Sequence, residues 1–211
     1  MTDARTAPRF AHALVTLLSL GVVGYAVVVY ALLPIGQLVH PRMAAVFRAN
    51  APTVYAHVFG ASVALLLGPL QFWAAFRNRR PALHRLAGQI YLAVGVGIGG
   101  ISGLILATRA QGGLAGQLGF ACLALAWLYT AVHALGEAQS RNFAAHRRWM
   151  VRNFALTFAA VTLRLWMPAG FALDRWPFEV VYPTVAWLCW VPNLIAAEWW
   201  LARRPRRAAT A

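Results

Sequence analysis

Histidines close to the ends of long apolar runs are the residues of this chain best suited to chemistry. The four that matter here are His57, His84, His133 and His146. Neutral imidazoles on two facing helices can supply both axial ligands of a haem iron. Three imidazoles with a carboxylate, here Glu137, can instead hold a transition metal. Either site requires the rings to face the interior of a helix bundle.

Helical spacing indicates which side chains accompany these histidines, because residues three and four apart share one face of a helix. Three predicted helices carry a polar stripe of this kind. The stripes comprise His84, Gly88, Tyr91, Gly95 and Gly99 on one helix; Cys122, Tyr129, His133 and Glu137 on the next; and His146, Met150, Asn153, Thr157 and Arg164 on the last. Polar groups that face lipid are costly, so we expect the three stripes to turn inward and meet.

Glycines at four-residue spacing, Gly95, Gly99 and Gly103, lie on much the same face as Gly88. They allow another group to approach the helix backbone closely. A neighbouring helix is one such group, and the small-xxx-small pattern favours it. A flat cofactor is the other, and the spacing alone leaves both open.

The elements that carry these residues are predicted to cross a membrane. The 211 residues are 61% hydrophobic and 11% charged, whereas a soluble domain has roughly 45–50% apolar and 25% charged residues. Six apolar runs have the length needed to span a hydrocarbon core, and we interpret the first as a retained anchor, since it exceeds the apolar region of a signal peptide. The predicted fold is an all-α bundle in one domain, 1–211, with spans near 11–34, 54–76, 85–107, 115–136, 149–168 and 182–201.

The net charge of +14 raises the question of nucleic-acid binding. The arginines lie between membrane-length apolar runs rather than on one soluble face, which argues against that class. Short loops rich in Arg stay in the cytoplasm, so both termini are predicted to be cytoplasmic in a bacterial inner membrane. The predicted outer loops hold Arg42, Arg48, Arg109 and Arg175, and the inner segments hold Arg5, Arg9, Arg77, Arg79, Arg80, Arg85, Arg141, Arg147, Arg148, Arg152, Arg203, Arg204, Arg206 and Arg207.

Local features add smaller expectations. Pro192 and Asn193 interrupt the sixth span and predict a packed kink. Arg164 is expected to snorkel or to pair with Asp174 or Glu179, and Glu198 is expected to be structural. The tails, 1–10 and 202–211, are predicted to lie against anionic lipid headgroups through their arginines.

Three segments, residues 57–72, 83–91 and 146–164, give the whole chain a close resemblance to a family of predicted bacterial membrane proteins catalogued as a domain of unknown function, DUF2306. More distantly, the second to fifth spans resemble the core of the cytochrome b561 family, which passes electrons across a bilayer through two haems b. That resemblance matches His84 and His146 to the ligands of the inner haem, and His57 to one ligand of the outer haem. The start of the fourth span has no histidine, so the resemblance implies an inner haem without a complete outer site.

The resulting hypothesis is a membrane electron-transfer protein with a haem b near the cytoplasmic face. His133 and Glu137 would lie nearby for a quinone or a redox partner, and Arg85, Arg147, Arg148 and Arg152 would offset haem propionates. A non-catalytic binding or assembly subunit and a metal-dependent protein using His84, His133 and His146 are the alternatives. The predicted cofactor-binding residues are His84, His146, His133, His57, Gly88, Tyr91, Asn153, Arg85 and Arg147.

Overall fold

A computed structural model of the chain describes residues 7–172 and 176–203. Every regular element within those ranges is helical, and six helices are long and apolar enough to cross a membrane. These membrane spans, numbered one to six along the chain, are Phe10–Leu32, Ala51–Phe72, Pro81–Ala107, Gly113–Gln139, Phe143–Ala172 and Phe178–Ala202. The predicted all-α six-span fold is therefore confirmed. Arg5, Asp174, Arg175, Arg204, Arg206 and Arg207 lie outside the described residues, as does most of each tail.

The helices within the spans have several breaks. The first span combines Ala7–Val27 with a π-helical segment, Val28–Leu32, and the third combines Pro81–Ile90, a π-helical segment Tyr91–Ile98, and Gly99–Ala107. The fifth divides into Phe143–Thr157 and Ala159–Ala172, and the sixth into Phe178–Leu188 and Val191–Ala202. Two shorter helices lie between spans, Pro41–Ala49 and Ala74–Arg79.

Spans two and three are antiparallel and pack backbone to backbone. A Cβ placed on Gly95 would lie 2.9 Å from Cβ of Ala64, and one on Gly60 would lie 2.8 Å from the amide nitrogen of Gly99. A larger side chain at either glycine would force the two helices apart. The glycine stripe is therefore filled by the second span, as expected for close helix packing.

Spans four and five form the other half of the central bundle. Ala134 near the end of span four contacts His146 near the start of span five, so this pair is also antiparallel. Span three packs on span four, and span five contacts span two, so the four helices close a ring. Span one lies outside spans two and five, whereas span six lies outside spans four and five.

The sixth span breaks at Cys189 and Trp190, and its second helix has Pro192 in the first turn. The side-chain amide of Asn193 donates to the carbonyl oxygens of Cys189, at 3.0 Å, and of Ala155 in span five, at 3.3 Å. A proline removes one backbone donor, and freed carbonyls inside a membrane need new partners. The predicted packed kink is therefore confirmed.

The bundle has two chemically different ends. We call the arginine-rich end the one at which spans two, four and six finish and spans three and five begin; it includes Arg79, Arg80, Arg85 and Arg141, all exposed. The other, called the opposite end, carries the helix Pro41–Ala49. At the opposite end Arg42 forms an ion pair with Glu179 of span six. The predicted pairing of Glu179 with Arg164 is therefore wrong.

Candidate functional site at the arginine-rich end

His146 is held in one orientation by the neighbouring helix. It lies in the first turn of span five, where the side chain of Asn142 caps the helix by accepting from the amide of Ala145. Its Nδ1 is 2.7 Å from the carbonyl oxygen of Ala134 in span four. A carbonyl can only accept, so Nδ1 carries the proton and donates. In a neutral imidazole Nε2 then keeps its lone pair, which is the arrangement common among histidines that bind metals.

His84 occupies the matching place at the start of span three. Proline at the first helical position, Pro81, fixes this helix start. The Nδ1 atom of His84 is buried and has no hydrogen-bond partner among the described residues. Its ring is 6.4 Å, centroid to centroid, from Phe76 and meets that ring edge-on. His146 is near enough to act on His84 electrostatically, so these two imidazoles share one part of the bundle.

A second polar atom without a partner belongs to Gln71, in the last turn of span two, which faces Gly88 one turn after His84. A Cβ on Gly88 would be 3.2 Å from Oε1 of Gln71, so the missing side chain at Gly88 makes room for that amide. The Nε2 atom of Gln71 is buried without a hydrogen-bond partner in the described structure. Buried polar atoms are nearly always hydrogen-bonded. A bound polar group between spans two and three would give both Gln71 and His84 a hydrogen-bond partner.

His133 does not join this pair. Its ring stacks on Trp149 at 4.7 Å and meets Tyr129 edge-on at 4.3 Å. Tyr129 is 57% exposed, so the part of the span-four stripe around Tyr129 and His133 does not turn inward as predicted. The buried face of span four contains Trp127, Thr130 and Ala134.

The structure gives no support to a metal held by His84, His133 and His146 with Glu137. Within residues 7–172 and 176–203, no group of three His, Cys, Asp or Glu side chains could hold a metal ion. The reason is the rotation of span four, which directs His133 toward Trp149 rather than into the bundle.

Two of the arginines predicted to offset an anionic cofactor have other partners. Arg152 forms a bidentate ion pair with Glu198 of span six and lies over the ring of Trp149, 4.7 Å from its centroid. Arg148 donates to the carbonyl oxygen of Leu201, also in span six. Both therefore fasten span five to span six. Glu198 is structural, as predicted.

Tyr91 and Asn153 belong to a buried polar network in the middle of the bundle. The Tyr91 hydroxyl donates to Oδ1 of Asn153 at 2.7 Å and lies 2.8 Å from Oγ1 of Thr157. The Asn153 amide donates to the carbonyl oxygen of Trp127 and to the hydroxyl of Thr130, both at 2.8 Å. Indole Nε1 of Trp127 donates to Thr157 at 2.9 Å. The network joins spans three, four and five.

Two of the residues predicted to bind a cofactor, Tyr91 and Asn153, take part in this network. Tyr91 and Asn153 are fully buried and each is satisfied by protein partners, so they fix the helices that carry His84 and His146. Trp127 and Thr130 were missed. They precede Ala134 by seven and four positions, respectively, so a search for hydrogen-bonding side chains on the helix face of Ala134 would have found them.

His57 lies at the opposite end, apart from His84 and His146. Its Nδ1 donates to the carbonyl oxygen of Gly99 at 2.8 Å, and the absence of a side chain at Gly103 makes room for the ring. Its Nε2 is thereby left with a lone pair, as in His146.

Six apolar helices joined by buried polar contacts define an integral membrane protein of the polytopic helical class. A family model described as a predicted membrane protein, DUF2306, matches residues 54–201. The chain therefore belongs to this family, and the matched region includes every residue of the candidate site. No curated protein and no solved structure matches the chain.

Proposed function

We propose that this protein binds a haem b between His84 and His146 at the arginine-rich end and acts in electron transfer within the membrane. The observation that carries the proposal is the hydrogen bond from Nδ1 of His146 to Ala134, which leaves Nε2 free to ligate. His84 supports it through a buried Nδ1 that has no described partner and through its place at the same end of the bundle as His146, at the start of span three. A haem iron with two imidazole ligands carries one electron at a time without exchanging ligands.

The chain's own residues would prepare the site in three ways. Ala134 fixes the ring orientation and tautomer of His146, and such partners commonly make tenfold to hundredfold differences in metal affinity. Gly88 makes room beside His84, where the unpartnered amide of Gln71 is available as a hydrogen-bond donor. Arg85 and Arg147 are exposed at the same end and are placed to attract anionic groups.

An absorbance spectrum tests the proposal directly. Protein expressed with ample haem and purified in detergent should show a Soret band, which His84→Ala and His146→Ala should each abolish or shift. His133→Ala is the matched control, because its ring stacks on Trp149 in the same half of the bundle. An unchanged band in both ligand variants, or no band in any preparation, would exclude haem at this site. A stable, haem-free protein that purifies with a stoichiometric partner would favour an assembly role instead.

We further propose that the arginine-rich end faces the cytoplasm of a bacterial inner membrane. Exposed arginines concentrate at that end, and short loops of this kind resist translocation. Single cysteines at positions 79 and 109, in a background without Cys122 and Cys189, can be labelled in intact cells with a membrane-impermeant maleimide. Labelling at 109 but not at 79 is expected. The reverse result would invert the orientation.

A further inference from the structure

A single arginine, Arg164, lies within span five in the half of the bundle nearer the opposite end. It precedes Ala172, the last residue of the helix, by eight positions. At a rise of 1.5 Å per residue, its Cα lies about 12 Å below the end of the span. This depth is within or just beneath the boundary between hydrocarbon and headgroups of a core about 30 Å thick.

The protein satisfies only part of this guanidinium. Its Nη1 donates to the carbonyl oxygen of Ala160 in the same helix, at 2.8 Å. Its Cζ lies 5.1 Å from the centre of the Tyr25 ring in span one. The Nε atom is buried and has no hydrogen-bond partner among the described residues. Tyr30 and His57 lie within electrostatic range, and neither is an anion at neutral pH.

None of the described carboxylates balances this charge. Glu179 pairs with Arg42 and Glu198 pairs with Arg152, while Glu137 lies near the far end of span four. A guanidinium carries five N–H donors in a planar fork, which suits two oxygens of a carboxylate or a phosphate. Charged side chains at membrane depth are costly unless paired, so the arrangement indicates an anion from outside the described chain.

We propose that Arg164 and Tyr25 form a binding site for the phosphodiester of an anionic phospholipid, seated between spans one and five. The position of Tyr25 favours a lipid as the bound anion. Its ring is 42% exposed on a membrane-spanning helix, so the site is accessible laterally from the bilayer. Leu165, the next residue of span five, is 56% exposed, which gives an acyl chain an apolar surface near the charge. A dissolved anion would have to reach this place through the headgroup layer.

Native mass spectrometry of the full chain in detergent, titrated with dioleoylphosphatidylglycerol, tests the site. Arg164→Gln should lower the apparent affinity of the tightest lipid by about tenfold or more, the size expected for losing a hydrogen-bonded charge. Arg164→Lys keeps the charge but loses the fork, and should give an intermediate loss. Arg109→Gln is the control, because Arg109 is an exposed arginine near the same end. It should leave the tight site unchanged.

Several results would overturn the proposal. Equal affinity in the wild type and Arg164→Gln would remove Arg164 from lipid binding. Equal binding of dioleoylphosphatidylcholine, or loss of bound phosphatidylglycerol on adding inorganic phosphate, would exclude selection of an anionic lipid. If phosphatidylglycerol binds tightly only to the Asp174→Asn variant, Asp174 is the counter-ion of Arg164 in the wild type. Should Arg164→Gln fail to fold, the comparison of Arg164→Lys with Arg109→Gln decides, and equal affinities there refute the site.

Discussion

The hydrogen bond between Tyr91 and Asn153 offers the sharpest test of how the bundle is held together. Tyr91→Phe removes the donor in span three, and Asn153→Ala removes the acceptor in span five, both at fully buried positions. Tested singly and together, the two changes form a double-mutant cycle. The cycle isolates the energy of this one contact from the rest of the network.

The expected magnitudes follow from the bonds that each side chain makes. Hydrogen bonds between membrane helices average about 0.6 kcal/mol, with a maximum of about 1.7. Asn153 makes three such bonds, to Tyr91, Trp127 and Thr130, so Asn153→Ala should lower the free energy of unfolding by about 2 kcal/mol. Tyr91→Phe should cost about 1 kcal/mol, because Thr157 keeps Trp127 and its own helix as partners. The coupling energy between the two should be about 0.6–1.7 kcal/mol.

Unfolding in detergent micelles by added dodecyl sulfate, followed by tryptophan fluorescence, measures these energies. Thr184→Ala serves as the control, because that hydroxyl is exposed and bonds only to Val180 of its own helix. It should change stability by no more than about 0.5 kcal/mol. If the two core variants add within about 0.3 kcal/mol, the contact contributes nothing specific and the reasoning fails.

Two further predictions use the same unfolding measurement. Gly60→Ala should destabilise the protein by about 1–3 kcal/mol, because its new Cβ would lie 2.8 Å from the Gly99 amide nitrogen; Gly24→Ala, with nothing within 4 Å, should be neutral or stabilising by up to about 1 kcal/mol. Equal effects at the two glycines would contradict the close packing of spans two and three. Glu198→Gln should cost less than about 1 kcal/mol, since the carboxylate side chain is 48% exposed, and a cost above about 3 kcal/mol would show that this ion pair holds span six in place.

The number of helices and the inner faces of two of them could be predicted from the sequence. Runs of about 20 apolar residues have few alternatives to a membrane span. The stripes that contain Tyr91 and Asn153 are buried as predicted, because their side chains would be costly in lipid. The start of span five at Phe143 was placed too late, at 149, although Asn142 is a typical helix cap. Pro81 similarly marks the start of span three.

The orientation of span four could not be predicted by the same rule. Tyr129 and His133 are polar, yet their rings pack edge-on against each other, and the His133 ring stacks on Trp149 instead of entering the bundle. The inner face instead contains Trp127 and Thr130, which hydrogen-bond to span five, and Ala134, whose small side chain allows span five to approach. A rule based on polarity alone predicts that His133 faces the interior of the bundle. Close packing of spans four and five instead places the small Ala134 there.

The two ends of the bundle differ in whether a second ligand could face the first histidine. At the arginine-rich end His146 and His84 interact electrostatically across spans five and three. At the opposite end His57 has the same tautomer as His146, but the first turns of span four present glycines to span six. A Cβ on Gly119 would lie 2.8 Å from Cβ of Ala186, so any larger ligand residue there would meet span six.

Charge reinforces this difference between the ends. Arg164 lies within electrostatic range of His57, and a nearby guanidinium disfavours a metal cation beside that imidazole. The guanidinium draws anions toward the same region instead. If the chain carries electrons through a haem, the path therefore has one site at the arginine-rich end rather than one at each end. Replacing Arg164 should consequently leave the Soret band unchanged, and a shift comparable to that of His146→Ala would contradict this separation.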